Sequence, residues 1–277
     1  MPVDQARIPI WDRGFLFGDG VYEVYRLYQG RCWLEDEHNA RLRRSLAAIE
    51  ITVDLEQLNA RLHRTIAASG IREGTAYVHV TRGVAPRLHA FPAPAVPPTE
   101  LIVIRAYDDE PVARLRAQGV GAISHPDLRW KLCDLKTTNL LPNVLANEAA
   151  HRAGCFEAIL VDEQGRITEG THTSVLWVRG GRLEGTPEGH GILPGTTRQL
   201  ILRLCAEVGL AFNAGHVTLP ELIGADEVFL VGTTSEVLSI VRIDGHAISD
   251  GVPGPVSRRV QQAYCAAVER WLASKPV

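Results

Sequence analysis

Asp127-Leu128-Arg129-Trp130-Lys131-Leu132-Cys133-Asp134-Leu135-Lys136-Thr137-Thr138-Asn139-Leu140-Leu141 sets one lysine, Lys136, among apolar residues at the mouth of an expected helix. Desolvation there would favour the uncharged amine, a nucleophile suited to Schiff-base formation. The ordinary alternative is a lysine that snorkels, with its stem buried and its ammonium in water.

Downstream of this stretch, a helix is expected from about Asn139 or Pro142 to Arg152, ended by Gly154. Strands are expected at Phe156 to Val161, Thr173 to Val178, Glu227 to Val231 and Val237 to Ile243, with helices at Thr196 to Val208 and Val256 to Ala273. Upstream, Val21 to Tyr28 reads as a strand. Glu35 to Ile49 reads as a helix with Leu42, Leu46 and Ile49 on one stripe, and a second helix begins after Asp54 and stops at Ser69-Gly70. Strands at Thr75 to Thr81 and Leu101 to Tyr107 flank the proline-rich 91–98, which no helix or central strand could hold. Polarity rises at Asp108-Asp109-Glu110-Pro111. The junction is therefore expected there, with residues 1–109 as a first domain, 110–120 as a linker and 121–277 as a second domain.

A chain of 277 residues that is 45% hydrophobic can bury a sizeable core. Its net charge of −3 and scattered basic residues offer no footprint for nucleic acid. The polar opening Met1-Pro2-Val3-Asp4 and the lack of a long apolar run predict a cytoplasmic protein without a membrane segment. Five widely spaced cysteines argue against a disulfide framework or a zinc site, and no metal is expected.

Three features point to a phosphorylated aldehyde cofactor. Gly195-Thr196-Thr197 opens a helix, where free N–H groups and the dipole attract phosphate. Gly232-Thr233-Thr234-Ser235 offers a second cluster of small donors after a strand. Glu169 could keep a pyridine nitrogen protonated, which makes the ring an electron sink. Each has a plainer reading: Gly-Thr turns commonly just cap helices, and Glu169 could be a solvated turn residue.

Four blocks settle among these readings. They are Asp12-Arg13-Gly14-Phe15-Leu16-Phe17-Gly18-Asp19-Gly20-Val21-Tyr22-Glu23; Val80-Thr81-Arg82-Gly83 with Pro86-Arg87-Leu88-His89; Asp127 to Leu141; and Gly232-Thr233-Thr234-Ser235-Glu236. With them, nearly the whole chain resembles the fold-type IV pyridoxal phosphate (PLP) enzymes, or class IV aminotransferases, and most closely their D-amino-acid branch. The resemblance implies a mixed α/β fold, a small α/β domain plus a larger, PLP-binding pseudo-barrel domain, with the cofactor in the cleft where they meet.

Carried over by position, Lys136 resembles the lysine that holds PLP and Glu169 the partner of its ring nitrogen. Arg41, with Thr196, Thr197, Gly232 and Thr233, resembles the phosphate set. Without the family, Arg41 would be an ordinary helix-surface arginine. Tyr22, Arg87 and His89 resemble the group that meets the substrate α-carboxylate, with Thr234 beside it; in the family this Arg-x-His loop comes from the neighbouring subunit, which implies a homodimer. On their own, Arg87 and His89 would only decorate a polar loop.

The implied activity is a ping-pong transamination between a D-amino acid (D-alanine, D-glutamate) and a 2-keto acid (pyruvate, 2-oxoglutarate). Lys136 would act as nucleophile first and acid–base second. Branched-chain L-amino-acid and (R)-amine transaminases, aminodeoxychorismate lyase and a PLP-binding protein without turnover are the alternatives. Side-chain preference is expected to rest on packing around Val24, Tyr25 and the Arg87 loop. Two departures from the family pattern stand out. The chain starts close to Asp12-Arg13-Gly14, so a shortened or missing opening hairpin is expected, and Thr171-His172-Thr173-Ser174 follows Glu169, with His172 an extra polar group.

Overall fold

A computed structural model describes residues 3–207 and 209–274. The chain divides into two units, the first made of Met1–Asp108 with Leu135–Leu140 and the second of Asp109–Asp134 with Leu141–Val277.

The first unit contains α1 (Arg13–Phe17), β1 (Gly20–Tyr28), β2 (Arg31–Cys32), α2 (Glu35–Ala48), α3 (Leu55–Ser69), β3 (Gly74–Thr81) and β4 (Thr99–Ala106). Its antiparallel sheet has the order β2-β1-β3-β4. Successive strand side chains face opposite ways, so Val21, Tyr25 and Leu27 turn to a core shared with Val78, Val80, Leu42, Leu58 and Leu62. Each such leucine, fully buried, stabilises the fold by about 1.5–3 kcal/mol relative to exposure. Acidic Glu35, Asp36 and Glu37 in its first turn suit the dipole of α2. Asp54 caps α3 by accepting the Gln57 N–H at 3.1 Å, and Gly70 ends it at φ 66°, a left-handed position that favours glycine. Tyr25 was expected to shape a substrate pocket. It is fully buried instead, and its hydroxyl bonds to Asn39 Oδ1 of α2 at 2.8 Å. Tyr22 and Val24 face the other way, in register with His79 and Tyr77.

Leu135–Leu140 joins this unit by backbone pairing. The Tyr22 N–H donates to the Lys136 carbonyl (3.0 Å), the Thr138 N–H to the Gly20 carbonyl (3.1 Å), and Thr137 bridges Val21. Lys136 thus lies on an extended strip ahead of the next helix, where a position at the helix mouth was expected.

The second unit contains α4 (Glu110–Gln118), β5 (Val120–Pro126), α5 (Leu141–Arg152), β6 (Glu157–Val161), β7 (Ile167–Gly170), β8 (Ser174–Arg179), β9 (Arg182–Gly185), α6 (Thr196–Glu207), β10 (Phe212–Ala214), α7 (Leu219–Ile223), β11 (Glu227–Gly232), β12 (Glu236–Ile243), β13 (His246–Ala247) and α8 (Pro255–Ala273). Its nine-stranded sheet runs β10-β9-β8-β11-β12-β5-β6-β7, with β13 on β12. The pairs β10–β9, β12–β5 and β5–β6 are parallel. Ile159, Ile167, Trp177, Leu230, Leu238 and Ile240 form its apolar centre.

Residues 110–120, expected as a linker, carry α4 and the start of β5. Proline in the first turn is compatible with a helix start because its missing N–H has no helical partner there. Val208, the expected end of α6, lies outside the described residues, as do Met1 and Pro2 of the polar opening. Buried Glu227 caps α8 by accepting the N–H groups of Val256 and Ser257, both at 2.8 Å. Gly254 has to stay small there, since a Cβ would lie 2.1 Å from the Glu227 carboxyl carbon.

Among the described residues, no helix is long and apolar enough to cross a membrane, and no group of three or more His, Cys, Asp or Glu is arranged to hold a metal ion. The five cysteines are free, and burial pushes the Cys133 and Cys205 thiols up to about 11.

Candidate active site

In the first unit the half-buried Lys136 places Nζ 4.3 Å from the centroid of the Tyr22 ring, and its N–H donates to Ser45 Oγ at 3.2 Å. No carboxylate pairs with its ammonium among the described residues. Across β1, Arg41 is buried and charged. Its Nε and Nη2 donate to the two oxygens of Glu23, at 2.7 and 2.8 Å, a bidentate geometry that suits a guanidinium. Glu23 is wholly buried, and its Oε2 lies 2.7 Å from His38 Nδ1. An ionised carboxylate only accepts, so Nδ1 carries the proton. Burial opposes ionisation of Glu23, yet Arg41 and His38 outweigh it and hold its carboxyl far below the usual range. Burial depresses His38, with Arg41 and Lys136 acting in the same sense, so it is held towards its neutral form. Neither Glu23 nor His38 was identified from the sequence; the signal was alternation along β1, which puts residue 23 on the face of α2.

In the second unit Glu169 lies next to the end of a fully buried strand, β7. It pairs with Arg129 and accepts the Leu193 N–H at 3.1 and 3.2 Å. Burial is the largest influence and raises its carboxyl above the ordinary glutamate value, against the pull of Arg129. Arg129 is itself fixed by Asp127, which accepts from its Nε (2.9 Å) and Nη2 (2.7 Å) and from the Thr168 hydroxyl (2.7 Å). Arg129 stands in the same 127–141 stretch as Lys136, but sequence alone does not show its role, because its partner is forty residues away along the chain.

Leu193, which donates to Glu169, leads through Pro194 and Gly195 into α6, where Thr196 and Thr197 are buried in the first turn. Buried Arg198 donates to Glu188 Oε1 and the Thr186 carbonyl at 2.8 Å each. Gly232 pairs with Glu236 across a hairpin whose three loop residues are Thr233, Thr234 and Ser235. Glu236 closes it at φ 56°, the left-handed geometry such loops require. Gln261 donates to Glu236 at 2.6 Å and Arg116 lies 3.5 Å away, which holds the strained residue. The Ser235 hydroxyl is buried with no hydrogen-bond partner among the described residues, and a Cβ on Gly232 would lie 2.8 Å from it. His172 is exposed, with Nδ1 3.2 Å from buried Glu157.

These features fit a phosphorylated pyridine aldehyde. An amine without a carboxylate partner, a buried carboxylate held in one orientation, a helix N-terminus behind a glycine, and an orphaned hydroxyl in a small-residue turn are the chemistry such a group needs. Arg87 and His89 lie exposed on a loop of the first unit, beside the Phe17 ring, at 5.2 Å for the Arg87 guanidinium and 5.5 Å for the His89 ring.

The family model for amino-transferase class IV matches residues 20–243. The D-alanine aminotransferase of Bacillus licheniformis is 40% identical over 265 residues, covering 95% of this chain and 92% of its own. That of Staphylococcus haemolyticus is 36% identical, covering 96% and 94%. Among solved structures, the branched-chain amino acid aminotransferase of Escherichia coli aligns with a TM-score of 0.89 at 25% identity, covering 96% of this chain and 91% of that one. A branched-chain amino acid aminotransferase from T.th., solved with pyridoxamine 5'-phosphate, aligns with a TM-score of 0.88 at 25% identity, covering 97% and 91%. A family match over residues 20–243, with 40% identity to a D-alanine aminotransferase along 95% of the chain, places the protein among the class IV amino-transferases.

Proposed function

We propose that this protein is a PLP-dependent transaminase that moves an amino group from a D-amino acid, D-alanine or D-glutamate, to a 2-keto acid, pyruvate or 2-oxoglutarate. The observation that carries this reading is the 40% identity with a D-alanine aminotransferase over 95% of the chain, which exceeds the 25% identity with branched-chain enzymes. Tyr22, Arg87 and His89 support it because a substrate α-carboxylate needs converging donors.

When bound, PLP supplies an aldehyde that takes up amines and a ring that withdraws electrons from the substrate α-carbon. Lys136 Nζ would hold it covalently and, once released, take the proton from the substrate α-carbon and return it. Glu169, kept in one orientation by Arg129 and the Leu193 N–H, would hold the proton on the ring nitrogen. Arg41, the N-terminus of α6 with Thr196 and Thr197, and the turn of Gly232 and Thr233 would bind the phosphate. Arg87 and His89 would bind the α-carboxylate with Tyr22, and Thr234 would lie beside it.

A homodimer belongs to this reading, with Arg87 and His89 serving the partner's lysine. The first unit leaves Ile8, Ile10, Trp11, Phe15, Leu88 and Phe91 exposed, apolar side chains that a subunit contact would cover.

The test is a coupled assay of the PLP-saturated protein with D-alanine and 2-oxoglutarate, following pyruvate through lactate dehydrogenase, beside L-leucine with 2-oxoglutarate. D-alanine turnover should dominate, and borohydride treatment with peptide mapping should fix the cofactor on Lys136. Faster turnover of L-leucine, or cofactor fixed on another lysine, would overturn the reading.

A further inference from the structure

The loop that presents Arg87 and His89 is shaped by a buried charge cluster to which no role has been given. Arg13 is almost fully buried, and its guanidinium collects three consecutive carbonyls of that loop. Nη1 donates to Leu88 (2.5 Å) and Ala90 (3.3 Å), and Nη2 to His89 (3.3 Å). Its Nε donates to Asp19 Oδ2 at 2.7 Å. Asp19 also accepts from Arg82 at 2.8 and 3.0 Å, while Arg82 donates to the carbonyls of Ile49 and Glu50 at 2.6 and 3.1 Å and covers the Phe91 ring. One carboxylate thereby orients two guanidiniums, Arg13 on the carbonyls of residues 88–90 and Arg82 on the ring of Phe91 next to them. Burial opposes the charge on Asp19, but Arg82 and Arg13 outweigh it and hold its carboxyl below the usual range.

Arg87 and His89 make no side-chain hydrogen bond of their own among the described residues. Their positions therefore come from the backbone that Arg13 grips and from the Phe17 ring, which both side chains flank. An arginine placed on a free loop would lose conformational entropy each time it met a substrate; a backbone held beforehand avoids that loss.

We propose that Arg13, oriented by Asp19, is the positioning residue for the carboxylate-binding pair Arg87 and His89. This rests on the role given to that pair above. Lysine could not replace it fully, because a point charge cannot serve Asp19 and three carbonyls at once.

The experiment compares Arg13→Ala, Arg13→Lys and Phe17→Leu with wild type, all PLP-saturated. Propionate, a carboxylate without an amine, is titrated by calorimetry, and KM and kcat are measured for D-alanine. Arg13→Ala should weaken propionate and raise the D-alanine KM by about tenfold, with kcat within about threefold of wild type. Arg13→Lys should fall in the middle. PLP affinity should be unchanged in both, which a merely structural lesion would not spare. Phe17→Leu keeps the ion pairs and carries the test if Arg13→Ala does not fold, with about a threefold weakening of propionate expected. Unchanged propionate affinity in the folded variants, or no propionate binding by wild type, overturns the proposal. Wild type that binds propionate but fails to turn over D-alanine would refute the proposed activity alone, and the titration would still decide the role of Arg13.

Discussion

Replacing Glu23 by leucine should be among the most damaging single changes in the first unit, although this residue touches no expected substrate. Its two oxygens accept from Arg41 Nε, Arg41 Nη2 and His38 Nδ1 at 2.7, 2.8 and 2.7 Å, and none of the three side chains has appreciable exposure. Leucine fills a similar volume but leaves a buried guanidinium without its counter-charge, which costs about 3–5 kcal/mol. Glu23→Gln keeps the shape and one acceptor, so roughly 1.5–3 kcal/mol is expected. Removing both charges, in Glu23→Leu with Arg41→Leu, should cost less than Glu23→Leu alone, because no buried charge is stranded. Urea denaturation of the cofactor-free protein, followed by circular dichroism, measures all three. Saturating PLP should recover part of the Glu23→Leu loss if Arg41 meets its phosphate. The pH dependence has a definite sign. Glu23 is depressed when folded, so its contribution is present above the ordinary carboxylate range and is lost as pH falls below it. Glu23→Gln should flatten that acid limb. A single variant within about 0.5 kcal/mol of wild type, or a double variant worse than the single, would refute this account of the pair.

Three further outcomes are expected. Arg129→Leu would leave buried Glu169 and half-buried Asp127 without their guanidinium, at a cost of about 3–5 kcal/mol near neutral pH; the deficit should shrink in mildly acidic buffer, where both can protonate, and a pH-independent deficit would contradict this. Gly83→Ala should lower the urea midpoint, since the residue lies at φ 100° and a Cβ would be 2.1 Å from the Pro97 carbonyl oxygen; an unchanged midpoint would mean the 83–97 backbone shifts freely. Mixing inactive Lys136→Ala with Arg87→Ala chains should restore about a quarter of wild-type activity if the loop serves the partner's lysine, because only mixed dimers hold one complete set; no restoration would place the loop in its own protomer's site.

Local signals carried much of the fold. Asp54 with Gln57, and Gly70 beyond Ser69, start and stop α3 where the residues predict, because caps act within one turn. Strand β1 was legible from its β-branched and aromatic content. What escaped was decided at long range. The helical start at Glu110-Pro111 falls in the expected linker 110–120, since acidic residues and proline serve both states. Thr137 and Thr138 pair with β1 and extend the lysine strip, a choice made by a strand more than a hundred residues earlier. The candidate site residues are proposed from the sequence alone, but the groups that orient them in the structure are not legible there. Glu23 meets Arg41, Arg129 meets Glu169, and Asp19 meets Arg82 only after the strands have paired.

The lysine strip also bears on biogenesis. Translation delivers all four strands of the first sheet before residue 109, yet the Tyr22 amide and the Gly20 carbonyl find their partners only when residues 136 and 138 have been made. Domains generally mature from the amino end as they leave the ribosome, so this one must wait with an unfinished edge while part of its neighbour is synthesised. A gene cut at the boundary after Asp108 would give an amino-terminal product without residues 135–140, so neither half of such a cut carries the whole first unit.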